Sequence, residues 1–591
     1  MMNKKRLVFA LWVGLTALIS VAQKSQNNVL ESYFTNYKTA GQIIRSKSHL
    51  DSLCVNDSLK TVIVYANNAF GEQLFTKPST DFIYNDIRKL LPDSLQNYQL
   101  TIKTGGWAIE DLIPNRLSTP VNQSRTWGDI DYTGKPWVFN ATRPYTITRG
   151  LSNRHFTVWA SHGIYYSIAD DKWMWQRAPL FATSEDLFTQ TIVNPYLIPM
   201  LENAGANVFT PRERDWQKHE VIVDNDSLAI GYTEQSIHHP WQTTPMPGFG
   251  MHAGNYVDHE NPFEAGTARM IEATKQKHHL GHAIYQPTIP ETGRYAVYVS
   301  YQTIKGSIDD ARYTVWHKGI ATEFHVNQQM GGSTWVYLGT FDFDAGCNEQ
   351  NRVVLSNFSD KQGIVTADAV RFGGGMGNIE RGGQVSGMPR CLEGSRYYAQ
   401  WAGMPYEVYS TKEGRDDYGD DINARSYMSN LLSGGSCYMP DTTGRGVPIE
   451  LSLAIHSDAG YTRDGKTNTG TLTICMTTFR DSTVNAGFTR LASRDLADDL
   501  LVSIPYDIRR KYGQWQVREL YDRNYSECRV PEVPSAILET LSHQNFADMK
   551  MAQDPNFRFD LARSIYKTLL RYTARMHQTD YIVQPLAPDN V

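Results

Sequence analysis

A chain of 591 residues is too long for one hydrophobic core, and about three domains are expected. With 41% apolar, 20% charged and 12% aromatic residues it reads as a well-folding globular chain, not a disordered one. A formal charge of −5 without any Lys/Arg block argues against a nucleic-acid partner.

The chain opens with "MMNKKRLVFALWVGLTALISVAQK": a basic patch at Lys4, Lys5 and Arg6, an apolar run from Leu7, and small residues at Ser20 and Ala22. This pattern predicts a secretory signal peptide over 1–22, cut between Ala22 and Gln23, and hence export to the periplasm, the outer surface or the medium. The apolar run, Leu7 to Ala22, is 16 residues, short for a membrane span, so none is expected in the mature chain. No cysteine follows the cut, so no lipid anchor is expected there. Removing 1–22 takes away three positive charges and no negative ones, leaving −8. The six cysteines are scattered without a C-x-x-C pair and do not resemble a structural zinc site; the sequence does not say which of them pair.

Residues 23–145 read as a small α/β or α+β unit. "LKTVIVYANNAF" (59–70) predicts a buried strand and "FIYNDIRKLL" (82–91) a helix, and no constellation in it suggests chemistry. From about 150 to 235 the pattern becomes alternating α/β. "HFTVWASHG" (155–163) is an apolar strand ending in Ser161-His162-Gly163. "TSEDLFTQTIVNPYLIPMLENAGA" (183–206) is helical, capped by Thr183 or Ser184 and kinked at Pro195 and Pro199. "NVFTPRERD" (207–215) predicts another short strand. Between 240 and 378 only short strands separated by turn residues are seen, which predicts a jelly-roll-like β-sandwich. A Gly-rich linker (373–387) leads out of it.

The α/β rhythm returns over 385–580, ahead of a tail at 581–591. Helices are expected at 420–432, 485–505 and 556–576, with strands at "IELSLAIHSD" and "VPSAILETLSHQN" (533–545). The expected architecture is therefore an α/β domain of mixed sheet with helices on both faces, interrupted by an all-β sandwich and preceded by a small N-terminal unit.

In "LSLAIHSDAG" (451–460) the apolar strand is read as ending at Ile455, so that His456 stands where it opens into a polar turn. His162 ends another strand, Glu185 opens the helix after it, and Glu539 ends "AILE". Strand ends and helix starts gather in one crevice of an α/β sheet. Two imidazoles and a carboxylate, with a fourth position for water, make the ligand set of a catalytic zinc site, and a further carboxylate serves as general base.

These stretches resemble the zinc-dependent N-acetylmuramoyl-L-alanine amidases (type 3), which have a phosphorylase/hydrolase-like α/β fold. The resemblance is carried by "ASHG", "TSEDL", "AIHSDAG" and "VPSAILETLSHQN", flanked by "LENAGANVFTPRERD" and "NARSYMSN". It implies that His162, Glu185 and His456 bind one zinc ion, that Glu539 is the catalytic carboxylate, and that peptidoglycan is the substrate. The chain departs from that pattern around the cleft. It lacks the Asp-Pro-Gly-His start, has Ser457-Asp458 for Ala-Asn, and has Leu541-Ser542-His543-Gln544-Asn545 for Gly-Phe-x-Ser-Asn. The stretches "TGRYAVYVSY", "FHVNQQMGGSTWVYLGTFDF" and "VTADAVRF" resemble the golvesin C-terminal or xanthan-lyase-type domain, which implies contact with an envelope polysaccharide.

Arg177 in "WMWQRAP" is a candidate to hold a substrate carboxylate, or else an ion-paired arginine. Asp186 and Asp458 are candidates to orient a ligand histidine, or ordinary cap and turn residues. "IHHP" (237–240) and "KHHLGH" (277–282) resemble metal tracts in composition only and are read as solvated or hydrogen-bonded, near or inside the sandwich. The rival to the amidase reading is an envelope polysaccharide-binding protein, either inert or of other specificity.

Overall fold

The computed structural model describes residues 27–226, 230–440 and 443–584, so the expected signal peptide and most of the expected tail lie outside the described residues. Six strands form the central sheet: β1 (His155–Ala160), β2 (Asn207–Phe209), β3 (Ile449–Asp458), β4 (Thr471–Cys475), β5 (Val517–Asp522) and β6 (Ser535–Ser542). Their order is β5-β4-β6-β3-β1-β2. β2, β1, β3 and β6 run parallel, whereas β4 is antiparallel to β6, so the sheet is mixed.

Every residue of β1 is buried, and the apolar run of β3 is buried from Ile449 to Ser457, because helices cover both faces. Phe156, Val158 and Ala160 of β1, Leu451, Leu453 and Ile455 of β3, and Leu538 of β6 share one core with α2 (Leu491–Tyr512) and α3 (Pro555–Met576). The period of two sends Trp159, Ala454 and Ile537 to the opposite face. There α1 (Asp417–Ser433) packs, and Ser429 on it bonds Thr157 of β1 at 3.0 Å and Ser452 of β3 at 3.3 Å.

The segment after β1 is broken as its prolines predict. Short α-helical pieces, Glu185–Phe188 and Gln190–Ile192, lead into a π-helical turn, Val193–Leu197, that holds Pro195; Ile198–Asn203 follows with Pro199 in its first turn. A proline has no N–H for the i−4 carbonyl, and the wider turn accommodates it.

The β-rich unit reaches further than its apolar strands suggest. Val221–Val223 pairs with Val370–Phe372, and Tyr232–Ser236 pairs with Gly281–Tyr285, so strands before 240 belong to the sandwich sheets. Val138–Asn140 pairs with Ile320–Val326, so residues expected in the N-terminal unit edge this sandwich instead. A fully buried ion pair, Arg371–Glu213 at 2.6 Å, ties the sandwich to the loop after β2.

The N-terminal unit has Thr61–Ala66 parallel to Gln99–Thr104, flanked by the helix Lys77–Leu90 with a Thr76/Ser79 capping box. It docks on the edge strand β5, where the Ile43 N–H donates to the Val517 carbonyl at 2.8 Å and Glu72 pairs with Arg523 at 2.7 Å. All six cysteines are free thiols. Among the described residues, no helix is long and apolar enough to cross a membrane.

Candidate metal centre

His162 follows β1 in the turn Ser161-His162-Gly163. A Cβ on Gly163 would lie 2.4 Å from the Glu393 backbone, so only glycine lets the two segments meet here. The contact is then closed by the Ile164 N–H to the Leu392 carbonyl at 2.8 Å and the Gly394 N–H to the Ile164 carbonyl at 3.0 Å. Glu185 is the first residue of the short helix after Ser184. β3 does not end at Ile455 but runs on to Asp458, which puts His456 inside the strand; a register shift against β6 follows it.

The three residues meet. One potential ligand atom from each of His162, Glu185 and His456 lies within 4.8 Å of the others. His456 Nδ1 is 2.9 Å and His162 Nε2 3.5 Å from Glu185 Oε1, and the imidazole centroids are 4.9 Å apart. All three are buried, at 4%, 3% and 5% exposure for His162, Glu185 and His456. In register, His456 pairs with Glu539 on the neighbouring strand. Glu539 Oε2 is buried without a hydrogen-bond partner. Burial pushes its carboxyl upward, Glu185 and Asp458 add to the rise, and His456 and Arg518 oppose it.

A second set of residues stands behind the imidazoles, and one member, Glu527, carries no mark in the sequence. Glu527 Oε2 lies 3.0 Å from His456 Nε2, and its Oε1 accepts from Trp159 Nε1 at 2.7 Å and Arg425 Nη1 at 3.0 Å. Arg425 Nη2 also bonds Asp421 and stands 3.1 Å from His162 Nδ1. Burial works against charge on His456, yet Glu527 and the bond to Glu185 outweigh it and raise the ring to about 10. His162 goes the other way: burial, then Arg425 and His456, hold it well below its ordinary value and keep it neutral.

Arg177, the candidate to hold a substrate carboxylate, stands beside Glu185. Its Nε is 3.4 Å from Glu185 Oε2, with Tyr418 OH 3.4 Å from Nη1, and its side chain is 33% exposed. Asp186 accepts from the Arg177 N–H at 3.1 Å, and Asp458 pairs with Arg518 at 2.5 Å. The carboxylate that braces a histidine of the centre is therefore Glu527, in place of the candidates Asp186 and Asp458. The histidine tracts lie on the sandwich surface, with His238 and His279 rings 4.1 Å apart and His239 beside Glu272 at 3.6 Å.

Comparison with known proteins bears chiefly on the sandwich. The profile of the golvesin C-terminal domain family matches residues 257–374. A xanthan lyase from Bacillus sp. (strain GL1) is 31% identical over 155 residues, 26% of this chain; the chain spans only 14% of that relative's length. Among solved structures, a Paenibacillus xanthan lyase is similar at 26% identity with TM-score 0.20, covering 26% of this chain and 13% of that one. The catalytic domain of CwlV, an N-acetylmuramoyl-L-alanine amidase from Bacillus (Paenibacillus) polymyxa, is similar at 18% identity with TM-score 0.16, covering 21% and 57%. An N-acetylmuramoyl-L-alanine amidase from Clostridium difficile 630 gives 16% identity and TM-score 0.17, covering 26% and 82%. The chain thus carries a golvesin C-terminal domain at 257–374, inside its β-sandwich.

Proposed function

We propose that this chain is an exported, zinc-dependent amidase that hydrolyses the N-acetylmuramoyl-L-alanine bond of peptidoglycan. Its golvesin C-terminal domain would contact the envelope polysaccharide. One observation carries the reading: two imidazoles and a carboxylate converge in a buried cluster, and the residue in register with His456, Glu539, has a buried oxygen without a partner. That donor set is the His₂Glu set of catalytic zinc sites, so the residues fit the ion.

When bound, zinc supplies Lewis acidity toward the amide carbonyl and makes a water acidic enough to attack near neutral pH. Glu539 takes the proton of the attacking water at Oε2 and returns a proton to the leaving L-alanine amine as the amide C–N bond breaks. Its raised proton affinity suits both steps. His162, Glu185 and His456 provide the ligand atoms, and Arg177 holds the outer oxygen of Glu185. Arg425 can only donate, so in the metal-free state His162 carries its proton on Nε2. His162 would offer Nε2 to the ion with its hydrogen on Nδ1, and Arg425 would then keep its bonds to Asp421 and Glu527.

Metal analysis tests the assignment. The purified protein should hold one zinc per chain, and His162→Ala and His456→Ala should hold none while remaining folded. Full occupancy in both variants would overturn the ligand assignment.

A further inference from the structure

We infer that Glu527 is a positioning residue that fixes a hydrogen on His456 Nε2 and so leaves Nδ1, which faces Glu185, as the nitrogen that takes a cation. The inference deepens the metal-site reading and rests on it. It follows from counting donors and acceptors. Trp159 Nε1 and Arg425 Nη1 can only donate, and both donate to Glu527 Oε1. Arg425 forms an ion pair with the carboxylate through Oε1 at 3.0 Å, so Oε2 is left to accept, and the atom facing it at 3.0 Å is His456 Nε2. That nitrogen must carry the hydrogen. Nδ1 on the far side of the ring, 2.9 Å from Glu185 Oε1, is the nitrogen left for a cation. A carboxylate on the remote nitrogen also makes an imidazole a stronger ligand.

The brace is built into the fold from a separate segment. Glu527 lies on the four-residue helix Ser526–Arg529 between β5 and β6. Ser526 Oγ donates to Asn423 Oδ1 at 2.5 Å, and Asn430 Nδ2 donates to the Val530 carbonyl at 2.9 Å, fastening that helix to α1. α1 in turn carries Arg425, whose guanidinium touches Glu527, Asp421 and His162. One buried network therefore sets the orientation of both imidazoles.

The test uses the full chain, with zinc affinity measured by competition against a chromophoric chelator and the hydrogen on His456 Nε2 read from ring ¹⁵N shifts of labelled, metal-free protein. Glu527→Ala and Glu527→Gln should each weaken zinc binding about 10- to 100-fold. The parent should show His456 Nε2 protonated and hydrogen-bonded to a carboxylate, and Glu527→Gln should lose that signature. Parent-like zinc affinity in a folded Glu527→Gln, or an unchanged Nε2 signal, overturns the inference. If Glu527→Ala does not fold, Glu527→Gln alone decides it. A parent that binds no zinc but shows the expected Nε2 signal, lost in Glu527→Gln, would defeat the metal-site reading and leave the positioning role of Glu527 standing.

Discussion

Glu539 stands opposite His456 in the register of two parallel strands, and its buried Oε2 has no hydrogen-bond partner. A carboxylate held this way is poised to take a proton from something not of the chain's own making. Glu539→Gln should keep zinc bound and lower kcat about a hundredfold to ten-thousandfold, with little change in KM. Steady-state kinetics on soluble muropeptides would check this, and parent-like kcat would remove Glu539 from the chemistry.

His456 lies between two carboxylates, 2.9 Å from Glu185 and 3.0 Å from Glu527. His456→Ala leaves both buried without their cation, a loss of about 3 kcal/mol in metal-free protein. Denaturant unfolding with chelator present would show it. An unchanged midpoint would mean that the metal-free ring carries no charge.

Gly163→Ala places a methyl group against the Glu393 backbone, which cannot move without dragging the segment that follows it. The expected cost is about 1–3 kcal/mol. Because His162 is the preceding residue, zinc affinity should fall as well. Parent-like thermal stability with parent-like zinc binding would contradict the account of the "SHG" turn.

In the sandwich, Asp224 is buried with neither carboxylate oxygen hydrogen-bonded. Burial first, then Asp368 and Asp226, push it up to about 8 from a usual value of 3.8. Between those values the folded chain holds a proton that the unfolded chain has lost, so stability falls as pH rises through this window. Asp224→Asn should flatten that slope and add about 1–3 kcal/mol at pH 8. Unfolding midpoints from pH 5 to pH 8 are the check, and an unchanged slope would exclude Asp224 as its source.

How much of this was legible in the sequence depends on how each residue is held. His162 and Glu185 stand at a strand end and a helix start, where a turn glycine and an N-terminal acidic pair mark the chain. Their convergence with His456 could be anticipated from the general placement of such ends in a crevice. The pairing of His456 with Glu539 could not, because strand order depends on packing between distant segments. The pattern places the end of β3 too early because Ser457 is polar yet buried, bonded to His543 and Glu185. Val138–Asn140 and Tyr232–Ser236 are short, partly exposed strands with little apolar alternation, so their membership in the sandwich shows only in their partners. Glu527 gave no signal at all. A four-residue helix has no periodicity, and its role comes from Trp159, Arg425 and His456, each far away in sequence.

The most direct measurement of the central claim is product mapping on purified peptidoglycan with the zinc-loaded chain, against Glu539→Gln and a chelator-treated control. The account predicts release of stem peptides with a free L-alanine amino group, leaving a lactyl carboxylate on N-acetylmuramic acid, in the parent alone. Failure of the zinc-loaded parent to release more than Glu539→Gln would contradict it.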